Sequence, residues 1–144
     1  MVKRARLTPE ETKRIVEAVR SAESGHRGEI VVHFVDRCPG DAVEAAARVF
    51  ATLETTRHDT AAVLLVAPTD RKAAVFAGAG VYGRERPDFW RAVTDAVAAR
   101  AATGDVVGGV IDAVAKLGQV LSTAAAGADE AGDELPAMVD SPGG

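Results

Sequence analysis

The sequence predicts an α/β fold, a mixed sheet with helices on both faces in the order α-β-α-β-β-α-α. Three observations carry this. Two runs, Glu29 to Val35 (EIVVHFV) and Thr60 to Ala67 (TAAVLLVA), are apolar at alternate and intervening positions alike, as strands covered on both faces are. A helical pattern lies between them, so the link is a crossover and the two strands run parallel. A third run, Lys72 to Ala77 (KAAVFA), follows the short turn Pro68 to Arg71 and so returns as an antiparallel hairpin partner.

Each element has a local reason. Thr8-Pro9-Glu10-Glu11 opens the first helix, with Thr8 as N-cap and Glu11 reaching back to close a capping box. Ile15, Val19 and Ala22 form its apolar side, and the helix ends before Gly25. Gly28 opens the first strand, and Pro39-Gly40 turns the chain after it. Asp41 caps a second helix whose stripe is Val43, Ala46, Ala47, Phe50 and Leu53. Pro87 and Asp88 open a third helix carrying Phe89, Trp90, Val93 and Val97, which stops near Gly104. Asp105 caps the last helix, with Val107, Ile111, Val114, Leu117 and Leu121 on one side. Gly108 and Gly109 cost helix stability there, and close packing against a neighbour is the expected reason. Residues 1–124 form one domain. From Ala125 the chain becomes acidic and rich in Gly, which predicts a disordered tail over 125–144.

Composition bounds the function. With 144 residues, 47% hydrophobic and 26% charged, the chain suits one ordinary globular domain. Seventeen basic against 21 acidic side chains leave a net charge of −4 with no basic half, which argues against nucleic-acid binding. The start shows no secretory pattern, and no run suggests a membrane span. The one cysteine, Cys38, suits a reducing compartment. The expected location is the cytoplasm.

Gly78, Gly80 and Gly83 in FAGAGVYGRE satisfy G-x-G-x-x-G. A dinucleotide fingerprint needs these glycines at a first strand-to-helix turn, with the helix starting inside the motif and an acid about 20 residues on. Here they follow a hairpin strand, the next helix is expected only near Asp88, and no strand follows. The expectation is a loop whose glycines let the chain leave an edge strand in an unusual conformation.

The stretches AVRSAESGHRGEIVVHFVDRCPGD, VFATLETTRHDTAAVLLVAPTDRKAAVFAGAGV and DFWRAVTDAVAARAATGDVVGGVIDAVAKLG, in that order over residues 8 to 122, resemble the TPM domain family. The family was founded on thylakoid-lumen and photosystem-repair proteins and a nematode receptor-associated membrane protein, and the resemblance is to its short, soluble bacterial branch. It implies a three-layer α/β/α sandwich. Some members act as acid phosphatases or bind divalent cations, and others are chaperone-like or assembly modules at membranes. In the short bacterial branch the loop after the third strand resembles Gly-Asp-x-Gly. Here Gly78 takes the place of the aspartate, and Ala61-Ala62 replace an Asn-Gly or Thr-Gly pair.

The expected topology sorts polar residues onto two rims. Asp36, Arg37, Cys38, Asp41, Asp70 and Arg71 leave the C-terminal ends of the parallel strands. Glu29, Arg57, His58, Asp59 and the glycine loop lie on the opposite rim, with Glu85 and Asp88 beginning the return. Hard cations take several oxygen ligands, so the candidate metal set is Asp59, Glu85 and Asp88, with His58 beside them. The alternative set is Asp36, Asp41 and Asp70. Against the second set, Asp41 is already explained as a cap and Asp70 as a turn residue. Arg71 is expected to pair with a surface carboxylate. Cys38 reads as a semi-buried thiol, His33 as a core or interface histidine and His26 as solvated. Trp90 reads as core that could form a rim for a partner, and Arg84 and Arg86 could meet a phosphate at the glycine loop.

The expected function is a non-catalytic interaction or assembly module with a protein partner. A weak divalent-metal-dependent phosphatase is the alternative, and a small-ligand binder using the glycine loop comes third. No cofactor is expected beyond a weakly bound calcium or magnesium ion.

Overall fold

The computed structural model describes residues 7–54, 58–124 and, for the backbone, 138–140. The elements are α1 (Pro9–Glu23), β1 (Glu29–Phe34), α2 (Ala42–Ala51), β2 (Ala61–Ala67), β3 (Lys72–Ala77), α3 (Ala79–Tyr82), α4 (Pro87–Ala102), α5 (Val106–Ala124) and β4 (Met138–Asp140). A 3-10 turn, His58–Thr60, precedes β2. The sheet order is β3-β2-β1-β4. β1 and β2 are parallel, with Glu29 opposite Ala61 and Phe34 opposite Val66. β2 and β3 are antiparallel, from Ala62 opposite Ala77 to Ala67 opposite Lys72.

Every residue of β1 and of β2 is buried, because helices cover both faces of the sheet. The larger core joins Ile30, Val32, Phe34, Leu64 and Val75 to α1, α4 and α5. The smaller core joins Val31, Val35, Val63, Leu65 and Ala74 to α2 alone. One ten-residue helix cannot cover a whole sheet face, and α2 lies over β2 and β3.

The capping box of Thr8 and Glu11 is formed, with hydrogen bonds of 2.8 and 3.1 Å. Asp41 caps α2 by accepting from the Val43 and Glu44 N–H groups. Gly25 and Gly104 adopt positive φ, +83° and +88°, which glycine alone reaches without steric cost. The stripe of α2 differs from expectation. Val43 stands 52% exposed, while Ala42, Ala45, Ala46, Val49, Phe50 and Leu53 pack on the sheet. The helix is rotated from the expected stripe because it must lie over β2 and β3.

The expected order lacks two short elements. A single turn, α3, forms inside the glycine stretch itself, and β4 pairs in parallel with β1, Val32 to Phe34 opposite Met138 to Asp140. Three residues of the stretch expected to be disordered are therefore a strand, since β1 would otherwise present an unpaired edge. The rest of 125–144 lies outside the described residues. By length and composition α5 could cross a membrane, which the sequence reading did not find, but half of its most apolar stretch is buried in this fold.

Candidate functional site

On the rim at the start of β1 and β2, the glycine stretch is packed against the turn before β2. The Gly78 N–H donates to the Ala61 carbonyl at 2.9 Å, and the Gly78 carbonyl accepts from Val81 and Tyr82. A Cβ on Gly78 would collide with the His58 carbonyl oxygen and the Asp59 backbone, and one on Gly80 would stand 2.8 Å from the Asp59 oxygen. Gly78 has φ −66° and Gly83 φ −77°, so the expected unusual backbone is corrected. Gly78 and Gly80 are needed for close approach of two backbones. The helix does start inside the motif, unlike the expectation, yet α3 is one turn after an antiparallel strand. The faces of Gly78 and Gly80 are filled by Asp59, which leaves no cradle there for a phosphate.

Asp59 thus sits beside the glycine loop, and the rings of His58 and Phe50 meet edge to face at 5.2 Å. Glu85 is exposed on the loop into α4 and Asp88 is exposed in its first turn, where Asp88 pairs loosely with Arg91 at 3.5 Å. Arg57 lies outside the described residues. Glu29 is buried at the start of β1. Among the described residues no three His, Cys, Asp or Glu side chains converge as a metal site would require.

On the opposite rim the acids have structural partners. Asp70 accepts from the Cys38 N–H at 2.7 Å and lies 3.6 Å from the Arg37 guanidinium. Asp36 accepts from the Thr69 hydroxyl at 3.1 Å. The Lys72 ammonium donates to the Cys38 and Gly40 carbonyls. Together these bonds staple the loop after β1 to the β2–β3 turn, while Asp41 is spent on its cap. Arg37 takes Asp70, and Arg71 occupies φ +53° to close the hairpin. Cys38 is buried, its Sγ 3.6 Å from the Gly40 carbonyl.

The expectation of a solvated His26 is also corrected. Its ring is 3% exposed, with Nδ1 accepting from the Gly28 N–H at 3.0 Å and Nε2 at 2.5 Å from the Ala22 carbonyl. These partners require the neutral ring with its proton on Nε2. Glu23, also buried, accepts from the Ile30 N–H at 2.7 Å. Both residues fix the turn from α1 into β1. A capping role for Glu23 or His26 has no local sequence signature.

Two of the concave regions among the described residues flank α2. A cavity of about 520 Å³ lies where α2 leaves β1 uncovered, with His33, Val35 and Leu65 below it and Arg37, Arg48 and Val49 around it. A smaller groove of about 250 Å³ runs along β3. Ala73, Ala74 and Val75 line it between Val43 on one side and Tyr82, Trp90 and Arg91 on the other. The Trp90 indole N–H donates to the Tyr82 carbonyl at 3.0 Å, and the two rings stack at 5.2 Å. Val43 and Tyr82 are the two large apolar side chains left exposed among the described residues, at 52% and 45%. The sequence flagged Trp90 as a possible rim but gave no sign of Val43, whose exposure depends on how α2 is rotated.

A family model described as TPM domain matches residues 2–120. The solution structure of BA42 protein from the psychrophilic bacterium Bizionia argentinensis is similar, with 29% identity and a TM-score of 0.78 over 94% of this chain and 95% of that one. The N-terminal domain of cg2496 protein from Corynebacterium glutamicum shares the fold, with 14% identity and a TM-score of 0.63 over 83% of this chain and 76% of that one. No curated protein matches this chain.

Proposed function

This chain belongs to the TPM domain family, and from that premise we propose that it is a non-catalytic interaction module that binds a protein partner. The observation that carries this reading is the coincidence of the two exposed large apolar side chains, Val43 and Tyr82, on one groove. Exposed apolar groups that cluster, rather than scatter, mark binding surfaces. Asp36, Asp41 and Asp70, the alternative metal set at the C-terminal ends of β1 and β2, are engaged in capping and stapling. Tyr82 is held outward by Trp90 rather than left to find its own place, which lowers the ordering cost of a contact.

Two measurements test the reading. The purified chain, given p-nitrophenyl phosphate with calcium or magnesium, should show no hydrolysis above the buffer rate. A variant carrying Val43→Asp and Tyr82→Asp, both exposed, should fold normally and fail to retain any protein that the unaltered chain captures from a cell lysate. Brisk hydrolysis that disappears in Asp59→Ala would replace this reading with a metal-dependent phosphatase.

A further inference from the structure

Resting on that interaction reading, we infer that the outer edge of β3 is a strand-addition groove whose occupant is an extended, acidic segment of another protein. The register fixes which groups are on offer. The Gly78 N–H donates to the Ala61 carbonyl, so Ala61 and Gly78 are a bonded pair. Bonded and non-bonded pairs alternate along an antiparallel ladder. The bonded pairs are therefore Val63 with Phe76, Leu65 with Ala74 and Ala67 with Lys72. The N–H and C=O groups of Ala73, Val75 and Ala77 point away from β2, and Ala73 and Val75 line the groove. β3 is the last strand on that side of the sheet.

Edges of this kind are commonly blunted by charge, proline or a bulge. Here the one charged residue of β3, Lys72, turns its ammonium to the Cys38 and Gly40 carbonyls and leaves the edge unguarded. The groove adds apolar walls, Val43 on the α2 side and Tyr82 with Trp90 on the α4 side, which suit alternate side chains of an added strand.

Charge and shape choose the occupant. Arg91 is the charged residue lining the groove, and its exposed pairing with Asp88 at 3.5 Å is of the weak, solvent-screened kind. Arg84 and Arg86 are exposed on the adjoining loop with Glu85 between them, so this corner sets three arginines against Glu85 and Asp88, the reverse of the chain's net negative charge, and favours a partner's carboxylates. The chain's own first six residues carry Lys3, Arg4 and Arg6, the wrong sign, and residues 138–140 lie at the opposite edge. A second copy would bring two recessed edges together, and the projecting Val43 and Tyr82 of each would meet before the strands reached ladder spacing of about 4.8 Å.

The test pans phage-displayed random heptapeptides against the intact chain and titrates synthesised, enriched peptides into isotope-labelled protein. Enriched peptides should alternate apolar and polar residues, carry Asp or Glu, and shift the amides of Ala73, Val75, Ala77 and Arg91. Ala73→Pro deletes an outward N–H without touching the bonds to β2 and should weaken binding about tenfold or more. Arg91→Glu, a surface change, should weaken it at least about threefold, with recovery when the peptide acid becomes lysine. No enrichment, or shifts confined to the β1 edge or the cavity beside α2, would overturn the inference. So would a concentration-dependent dimer that Ala73→Pro makes monomeric. If Ala73→Pro still captures a lysate protein that the Val43→Asp and Tyr82→Asp variant fails to retain, strand addition is wrong and the interaction reading stands.

Discussion

At Gly78 a hydrogen atom in place of a side chain lets two backbones touch. The sequence marked this position through its motif, read as a loop by which the chain leaves an edge strand, and through the missing family aspartate, which counted against a metal site. The packing gives a steric reason instead, because the carbonyl of His58 occupies the space a Cβ would need. Gly78→Asp should therefore destabilise the fold by about 2 kcal/mol or more, the scale of overpacking in a filled site, rather than create a cation ligand. Gly83→Ala is the matched control. Gly83 has helical φ and nothing within 4 Å of its added Cβ, so the change should stabilise by about 0.5 kcal/mol through the unfolded state. Urea denaturation of both variants decides this, and an unshifted midpoint in Gly78→Asp would mean the loop is not packed as described. His26 teaches the same lesson from the other side. A histidine between two glycines reads as solvated, and only the fold brings the Ala22 carbonyl and the Gly28 N–H to its two nitrogens.

Among the elements, α5 was the one whose odd composition was explained best. Its glycines admit close neighbours: a Cβ on Gly109 would lie 2.8 Å from the Arg100 Cβ, and one on Gly118 2.7 Å from the Ala22 Cβ. The start of α5 carries an electrostatic clamp. Asp105 accepts from the Gly108 N–H and pairs with Arg100, which also holds Asp112 at 3.0 Å. The Arg100 hydrogen bond first, and the Gly108 N–H second, hold the Asp105 carboxyl below the usual carboxylate range. A carboxylate whose pKa falls on folding stabilises the fold above its unfolded pKa, and that contribution is lost as pH drops through the folded value. Asp105→Asn keeps an acceptor for the cap but removes the charge. Melting curves of the two proteins should therefore differ near neutrality, begin to approach each other below about pH 4, and meet once the pH has fallen through the lowered folded value. A constant gap down to pH 2.5 would show that the ion pair contributes nothing to the fold.

For the whole molecule, the two sheet faces and the two sheet edges are unequal. Among the described residues three helices cover one face and one covers the other; β4 pairs at one edge, and no strand pairs beyond β3 at the other. The described core is built from residues 7–124, so truncation after Ala124 should leave a folded domain with a melting temperature lower by a few degrees. The amides of Val32 to Phe34 that face β4 should then exchange faster. Global unfolding on truncation would show that the tail belongs to the core, and unchanged exchange would show that β4 does not pair with β1.

The sequence by itself determined the longer elements, the parallel β1–β2 and antiparallel β2–β3 pairings and the caps, because these depend on period, turn chemistry and side chains a few residues apart. Thr8 with Glu11, Asp41 and Asp105 could be read that way, since each acts within its own turn of helix. Only the tertiary structure decided which polar groups were already spent and which apolar groups were left over. Asp70 meets the Cys38 N–H across 32 residues, and Val43 is exposed because α2 must settle over β2 and β3. Such outcomes depend on how layers dock. Docking is set by the summed packing of many side chains, so no short stretch of sequence carries the record of it.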